Sequence, residues 1–362
     1  MSFTLNLPVN SVSFGQVSSL ILREIFKKNI NDFSLYPIGD NLDLSSQDLE
    51  EGFVNFLRDK ANNYLSKLKR EDPCFKLWHL NGSIDSVSDK RFLLSFYELD
   101  SPTKEEINIV KNQNKVFFSS KYTVDIFKTF GCKNVEYLPL AFDHYNFKKI
   151  EKNYFNDRIV FNLVGKLEKR KNHKKVIRAW IRKYGNNPKY HLQCAIYNPF
   201  FKEEDNKKLL SEILEGQNYF NISFLGFMQK NSMYNDYLNS ANIIIGVSGG
   251  EGWGLPEFHS VAIGKHAIIL NAHGYKEWAN ENNSILVNPN SKIEAYDGLF
   301  FNKGQSFNQG NIFTFDDDDF INACEEAVKR VEKNPVNLNG LELQEQFTSE
   351  KMVNNILNIL NS

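Results

Sequence analysis

The strongest constraint on the fold is a repeated alternation of short apolar runs with segments of helical periodicity. The chain opens with a predicted strand at residues 3–7, a loop at 8–15 and a helix at 16–28. Further strands are predicted at 75–80, 91–97, 115–118 and 135–138. The pattern restarts after a charged, Asn-rich linker, with strands at 158–164, 190–197, 222–225, 243–247 and 267–270 and helices at 174–183 and from 256. Two such runs predict an α/β protein with two doubly wound parallel sheets, whose ligands lie in a cleft beyond the carboxyl ends of the strands.

Composition excludes several classes of protein. A length of 362 residues suits about two domains, and a formal net charge of -1 argues against indiscriminate nucleic-acid binding. The chain has no run of about 18 apolar residues, so no membrane-spanning helix is expected, although peripheral membrane contact stays open. Four widely spaced cysteines suggest neither a disulfide framework nor a zinc site. We therefore expect a cytoplasmic protein.

The segment at residues 248–264 carries the most chemical information. Four glycines expose backbone N–H groups directly after an apolar strand, and Pro256 then marks the start of a helix. A strand, glycine loop and helix in this order form a cradle for an anion, and phosphate is the expected ligand. A merely flexible loop is the alternative, but Trp253 between glycines argues against it.

This segment resembles the donor-sugar signature E-G-x-G-L-P-x-x-E-A-x-A-x-G of the retaining glycosyltransferases of family 4, the glycosyl transferases group 1. The resemblance implies that Glu251 faces hydroxyls of the transferred sugar. The family's second glutamate, on the nucleotide ribose, is replaced here by His259, and Glu257 lies two residues earlier. His259 either hydrogen-bonds the ribose or is a packed helical histidine, in which case Glu257 is the displaced ribose ligand. The other donor-binding residues implied are Gly252, Trp253, Gly254 and Leu255.

A second signature begins the second half of the chain. The segment at 161–173 resembles the family's strand ending in G-R-L-x-x-x-K, which places two cations on the donor diphosphate. Gly165 matches the glycine, Lys166 stands at the arginine position and Lys171 at the lysine position. Lysine keeps the charge of arginine but not its planar, bidentate geometry. The neighbouring cations are predicted to form a solvated basic helix face: Lys169, Arg170, Lys174 and Lys175.

Weaker resemblances extend into the first half. Gly15 stands where relatives have a glycine loop near the donor phosphate. His79 follows a predicted strand, as a histidine near the transferred sugar does in relatives, and a half-buried packed histidine is the alternative. Glu98 and Asp100 are acceptor-side candidates. In the second half, Tyr275, Glu277 and Trp278 could line a nucleoside pocket, and core packing explains Trp278 equally well.

The resemblance implies the GT-B fold, two Rossmann-like domains that face a cleft. Residues 1–150 would form the acceptor domain and 151–340 the nucleotide-sugar donor domain. Residues 341–362 would include a helix, with apolar residues on one face of 349–360, that crosses back to the first domain. The acidic run at 316–319 precedes a helical pattern, so we interpret it as a helix cap rather than a metal site.

The implied reaction is transfer of a hexosyl or pentosyl group from a nucleotide-diphosphate sugar, with retention of configuration and no metal or cofactor. Lys166, Lys171 and backbone amides would stabilise charge on the leaving diphosphate. The acceptor stays open among a glycan, a lipid, a protein and a modified DNA base. A dehydrogenase is disfavoured because no G-x-G-x-x-G follows the first strand, and a phosphorylase would need a pyridoxal cofactor and usually a far longer chain. The replacement at His259 leaves a non-catalytic nucleotide-sugar or glycan-binding module as the alternative.

Overall fold

The computed structural model describes residues 2–39, 41–62, 64–67 and 69–361. It contains two six-stranded sheets, and every strand pair in them is parallel. The strands are largely buried apolar runs, as expected where helices cover both faces of a sheet. The prediction of two doubly wound α/β sheets is confirmed.

The first sheet has the strand order β2-β1-β3-β4-β5-β6. Its strands are β1 (Phe3–Pro8), β2 (Phe33–Ile38), β3 (Cys74–Leu77), β4 (Arg91–Ser95), β5 (Lys115–Phe118) and β6 (Val135–Tyr137). Its helices are α1 (Ser13–Lys27), α2 (Phe53–Asn62), α3 (Tyr64–Lys67), α4 (Lys104–Lys111) and α5 (Lys121–Thr129). Strand β2 was not predicted from the sequence, and it contains Pro37. This proline is tolerated because β2 is an edge strand.

The second sheet has the order β12-β11-β10-β7-β8-β9. Its strands are β7 (Ile159–Val164), β8 (Tyr190–Ala195), β9 (Ile222–Phe224), β10 (Ile243–Gly246), β11 (His266–Leu270) and β12 (Ile285–Val287). The helices packed around it include α6 (His173–Tyr184), α7 (Glu203–Ile213), α8 (Asn231–Asn239), α9 (Leu255–Ala262) and α10 (Asp317–Lys333). Short 3₁₀ turns occur at Lys169–Lys171 and His273–Glu277. The Asp316 carboxylate accepts a bond from the backbone N–H of Asp318 (2.8 Å), which confirms the predicted helix cap.

An antiparallel hairpin, β13 (Pro289–Glu294) and β14 (Asn311–Phe315), follows the second sheet and was not predicted. We call residues 289–315 the arm. The chain then forms the short helices α11 (Leu338–Leu341) and α12 (Leu343–Gln346) and ends with α13 (Ser349–Leu360). Helix α13 crosses back and packs against α1. Contacts of Lys28 with Glu350 (3.1 Å) and of the Ser349 hydroxyl with Glu24 (2.9 Å) hold it there.

One local prediction needs correction. Helix α1 begins at Ser13, so Gly15 lies in its first turn rather than in a loop. A Cβ at Gly15 would lie 2.1 Å from the carbonyl oxygen of Asn10. Glycine is therefore needed here because the loop after β1 folds against the helix.

No helix in the described part of the chain is long and apolar enough to span a membrane.

Candidate active site at the centre of the second sheet

The candidate site lies where the strand order of the second sheet reverses. Strands β7 and β10 are neighbours at this point, and the chain leaves them in opposite directions across the sheet. Such switch points form a crevice at the carboxyl ends of the strands. The two loops that carry the predicted signatures, after Val164 and after Gly246, therefore meet at one place.

A set of charges joins these loops, buried except for the 29% exposed side chain of Glu98, and we call it the ion cluster: Glu98, Glu168, Arg170, Lys171 and Glu251. The Glu251 carboxylate contacts the Lys171 ammonium and accepts a hydrogen bond from Nη1 of Arg170 (2.8 Å). Arg170 also pairs with Glu168 through Nε (3.0 Å) and with Glu98 through Nη2 (3.0 Å). The cluster thus connects the two signatures with a residue of the first domain.

Arg170 overturns one prediction. It was expected on a solvated basic helix face, but only 6% of the residue is exposed. The 3₁₀ turn at Lys169–Lys171 turns its side chain inward before α6 begins at His173. Lys174 does lie exposed, as predicted. The sequence does not distinguish the buried Arg170 from the neighbouring cations, because the local 3₁₀ turn determines which side chain points inward.

The surrounding charges keep Glu251 ionised. Burial would raise the pKa of this carboxyl, but the adjacent Lys171 and Arg170 lower it to about 2. In Glu98 the effect of burial is larger than that of Arg170, and its pKa is raised. Glu251 can therefore present a fixed negative charge to a ligand at neutral pH.

The glycine loop also allows the two domains to approach each other. A Cβ at Gly250 would lie 2.6 Å from the carbonyl oxygen of Glu98, and one at Gly252 would lie 2.9 Å from the Cβ of Phe96. The Ser119 hydroxyl donates a hydrogen bond to the carbonyl oxygen of Gly252 (2.8 Å). A larger residue at either glycine would push the first domain away from the loop.

The remaining residues of the loop differ in what they can contribute. Gly254 has a φ of 81° and precedes Leu255, the first residue of α9. The Trp253 side chain is buried edge-on to Phe258 and Phe347. Any donor contact of Trp253 would therefore come from its backbone.

Lys166 and His79 lie on the two sides of the cleft. Lys166 pairs with Glu168 (3.1 Å), and its side chain stays 41% exposed. His79 follows β3 and packs against Phe14 with ring centroids 4.4 Å apart. Burial lowers the pKa of His79, and the charge of Lys166 lowers it further. Gly165 has a φ of 100°, and a Cβ at this position would lie 3.0 Å from Cε of Lys171.

Glu257 is a buried carboxyl beside Tyr275, and 2% of the residue is exposed. Its Oε2 has no hydrogen-bond partner in the part of the chain that the structure describes. Burial raises its pKa to about 7, against the effect of Lys171. The protonation of Glu257 therefore changes near neutral pH.

This shift makes stability depend on pH. The folded state holds a proton on Glu257 between its usual pKa of 4.5 and about 7, so this group lowers stability as the pH rises through that window. We expect Glu257→Gln to raise the melting temperature relative to wild type by several degrees more at pH 8 than at pH 5. Glu204→Gln, at an exposed position, is the control, and it should change the melting temperature by the same small amount at both pH values. An equal effect of Glu257→Gln at pH 5 and pH 8 would contradict the assigned shift.

His259 lies in an aromatic environment. Its ring stacks on Phe147, with centroids 4.3 Å apart and an interplanar angle of 19°, and Phe142 packs edge-on. Burial lowers its pKa to about 3, so the ring is neutral. Its Nδ1 has no hydrogen-bond partner among the described residues. These contacts are those expected if His259 is a packed helical histidine, while its contact with the ribose stays a prediction.

Other candidates connect the domains. Both Asp100 oxygens bind the arm, one accepting from the backbone N–H of Asn311 (2.8 Å) and the other pairing with Lys292 (2.8 Å). The Glu277 carboxylate accepts a bond from the backbone N–H of Lys121 (2.7 Å). Tyr275 and Trp278 are buried in the core, as the packing interpretation of Trp278 predicted.

Comparison with known proteins agrees with this geometry. Residues 145–299 match the family described as glycosyl transferases group 1. The match spans 155 of the 362 residues. The matched region covers the linker, the ion-cluster residues of the second sheet and the start of the arm. A search of curated proteins found no match.

Solved structures similar to the whole chain carry the same fold. Sucrose-phosphate synthase from Thermosynechococcus elongatus has a TM-score of 0.70 and 13% identity, covering 100% of this chain and 98% of that chain. HepE from Anabaena in complex with UDP-glucose has a TM-score of 0.67 and 14% identity, covering 100% and 99%. A glycosyltransferase from Rickettsia africae has a TM-score of 0.68 and 11% identity, covering 99% and 97%. The fold is GT-B, and the region that matches the group 1 family lies in its second half.

Proposed function

We propose that the protein is a glycosyltransferase that moves a sugar from a nucleotide-diphosphate sugar to an acceptor hydroxyl. The observation that carries this proposal is the ion cluster, in which an ionised Glu251 and two buried cations lie beside the glycine loop at the switch point. The complex of HepE with UDP-glucose makes a uridine diphosphate sugar the first donor to test.

The proposed donor site uses the cluster and the start of α9. Lys171 has three N–H donors, so it can hold Glu251 and still donate to a diphosphate oxygen. Lys166, with its exposed ammonium, and the amides of the glycine loop complete the anion site. These groups stabilise the charge that grows on the leaving diphosphate.

The proposed transfer retains the anomeric configuration. The bond from the anomeric carbon to the diphosphate oxygen breaks, and the acceptor oxygen forms a bond to the same face of that carbon. The departing phosphate oxygen takes the acceptor proton, and Glu251 stabilises the positive charge that builds on the sugar. In this scheme the protein side chains position the substrates and stabilise the charges that develop during transfer, and no metal is needed.

The test begins with donor binding. A ligand that binds only the folded state raises its stability by about 2.7 kcal/mol at 100 times its Kd, so UDP, ADP and GDP can be ranked by melting temperature. We expect one of them to stabilise the protein clearly, and no response to any would contradict the proposal. Binding without cleavage of any nucleotide sugar would instead favour the non-catalytic module.

The role proposed for His259 gives a separate prediction. His259→Phe keeps an aromatic ring against Phe147 but removes both ring nitrogens. If a nitrogen binds the ribose, the donor KM should rise about tenfold, equivalent to about 1.4 kcal/mol, while turnover at saturation barely changes. Steady-state kinetics of wild type and variant check this. An unchanged KM would assign His259 to packing and direct attention to Glu257.

A further inference from the structure

The arm is attached to the domain opposite the one from which it extends. The Thr103 hydroxyl donates a bond to the carbonyl oxygen of Ser306 (2.6 Å), and the backbone N–H of Asn308 donates to Oε1 of Glu106 (2.9 Å). Phe301 and Ile312 are buried in the same apolar cluster as residues of the first domain. Together with the bonds to Asp100, these contacts hold the arm against the first domain.

The arm covers a cavity of about 290 Å³ at the carboxyl ends of β3 and β4. The first domain contributes the residues that directly follow these strands, among them Trp78, His79 and Phe96, and the arm contributes Phe307 and Asn308. The volume is at the small end of the range for ligand pockets, so the cavity suits a ligand smaller than a nucleotide. Phe96 lines it and lies against Gly252, where an added Cβ would be 2.9 Å from the Cβ of Phe96, so the cavity adjoins the glycine loop of the proposed donor site.

The lining combines flat apolar surfaces with polar groups. Trp78, Phe96 and Phe307 offer aromatic rings, and Asn81 and Asn308 offer amides. Ser95 also contributes to the lining, but its hydroxyl oxygen is buried and is not among the polar groups that a ligand in the cavity would contact.

This combination matches one class of ligand. A sugar ring has apolar C–H faces that pack on aromatic rings and hydroxyls at its edge that bind amides and hydroxyl groups. Among the described lining residues there is no lysine or arginine, which disfavours a phosphate group inside the cavity. A purely apolar ligand would make no use of the amides of Asn81 and Asn308.

We propose that this cavity binds one sugar ring of the acceptor, and that Phe307 and Asn308 of the arm select it. The inference rests on the proposed glycosyl transfer. Residues of both domains would then form the acceptor site, and the residues that determine its specificity, Phe307 and Asn308, would lie outside the first domain.

The test measures binding of methyl glycosides without donor, by saturation-transfer NMR with α- and β-methyl glucoside, galactoside and mannoside. We expect at least one to bind wild type, and Phe307→Ala to weaken it at least fivefold. Asn308→Gly is a second variant that removes the amide but keeps the positive φ of 58° at this position. Phe220→Ala, an exposed phenylalanine that precedes β9, is the matched control and should bind like wild type.

The outcomes separate this inference from the proposed function. The stabilisation by UDP, ADP or GDP, whichever binds the wild type, should be the same in Phe307→Ala, because the arm cavity is separate from the anion site. If a nucleoside diphosphate binds but no methyl glycoside does, or if neither arm variant weakens glycoside binding, the cavity assignment is overturned and the donor assignment stands. If no nucleotide binds while a glycoside does, the proposed function fails.

Discussion

Glu251→Gln should lower the rate of glycosyl transfer on the order of 100- to 1,000-fold at saturating donor, the range typical of a lost electrostatic contact in the transition state. The amide is nearly isosteric with the carboxylate but carries no charge. The charge of Glu251 is secure in the wild type because Lys171 and Arg170 outweigh burial and lower its pKa to about 2. The measurement is kcat with a nucleotide sugar, together with circular dichroism to verify the fold.

A buried carboxylate outside the site provides the matched control. Glu24 is 2% exposed and accepts hydrogen bonds from Tyr145 and Ser349, where α1 meets α13. Glu24→Gln makes the same substitution at a buried position, and we expect its kcat to stay within about threefold of wild type. Turnover of Glu251→Gln close to that of this control would contradict the role given to Glu251.

Arg170→Met should cost about 3–5 kcal/mol of stability, because it removes the cation that pairs with Glu98 and leaves Glu168 and Glu251 with one cation each. Three carboxylates would lose their common partner: Glu98, Glu168 and Glu251. The loss of the bridge to Glu98 would also loosen the contact between the domains. We expect the melting temperature to fall by roughly 5 °C or more.

Lys174→Met is the control for this change, since it removes a cation four residues away at an exposed position. Its melting temperature should stay within about 1 °C of wild type. If Arg170→Met melts like Lys174→Met, the ion cluster does not contribute to stability as described.

The sequence was most informative where one residue pattern has one structural outcome. The apolar run of β10 followed by glycines and Pro256 predicted the strand, loop and helix that the structure has. Parallel topology then placed this loop beside the loop after β7. The amphipathic pattern of α13 likewise predicted a helix that packs through one face.

The sequence was least informative where long-range contacts decide. Asp100 and Lys292 are 192 positions apart. The position of the arm, which includes β13 and β14, is determined by contacts with the first domain rather than by its own sequence pattern. The inward turn of Arg170 depends on a short 3₁₀ segment within a run of cations. Both features shape the cleft, and neither is marked by a sequence periodicity from which it could be predicted.

The most direct test of the account is a ³¹P NMR time course of a nucleotide sugar, starting with UDP-glucose, with wild type and Glu251→Gln side by side. The account predicts that, for at least one nucleotide sugar, the diphosphate signals of the donor convert to those of the free nucleoside diphosphate with wild type. With Glu251→Gln the same conversion should be at least 100-fold slower. No conversion of any nucleotide sugar that binds the wild-type protein, or equal conversion by both proteins, would contradict the central claim.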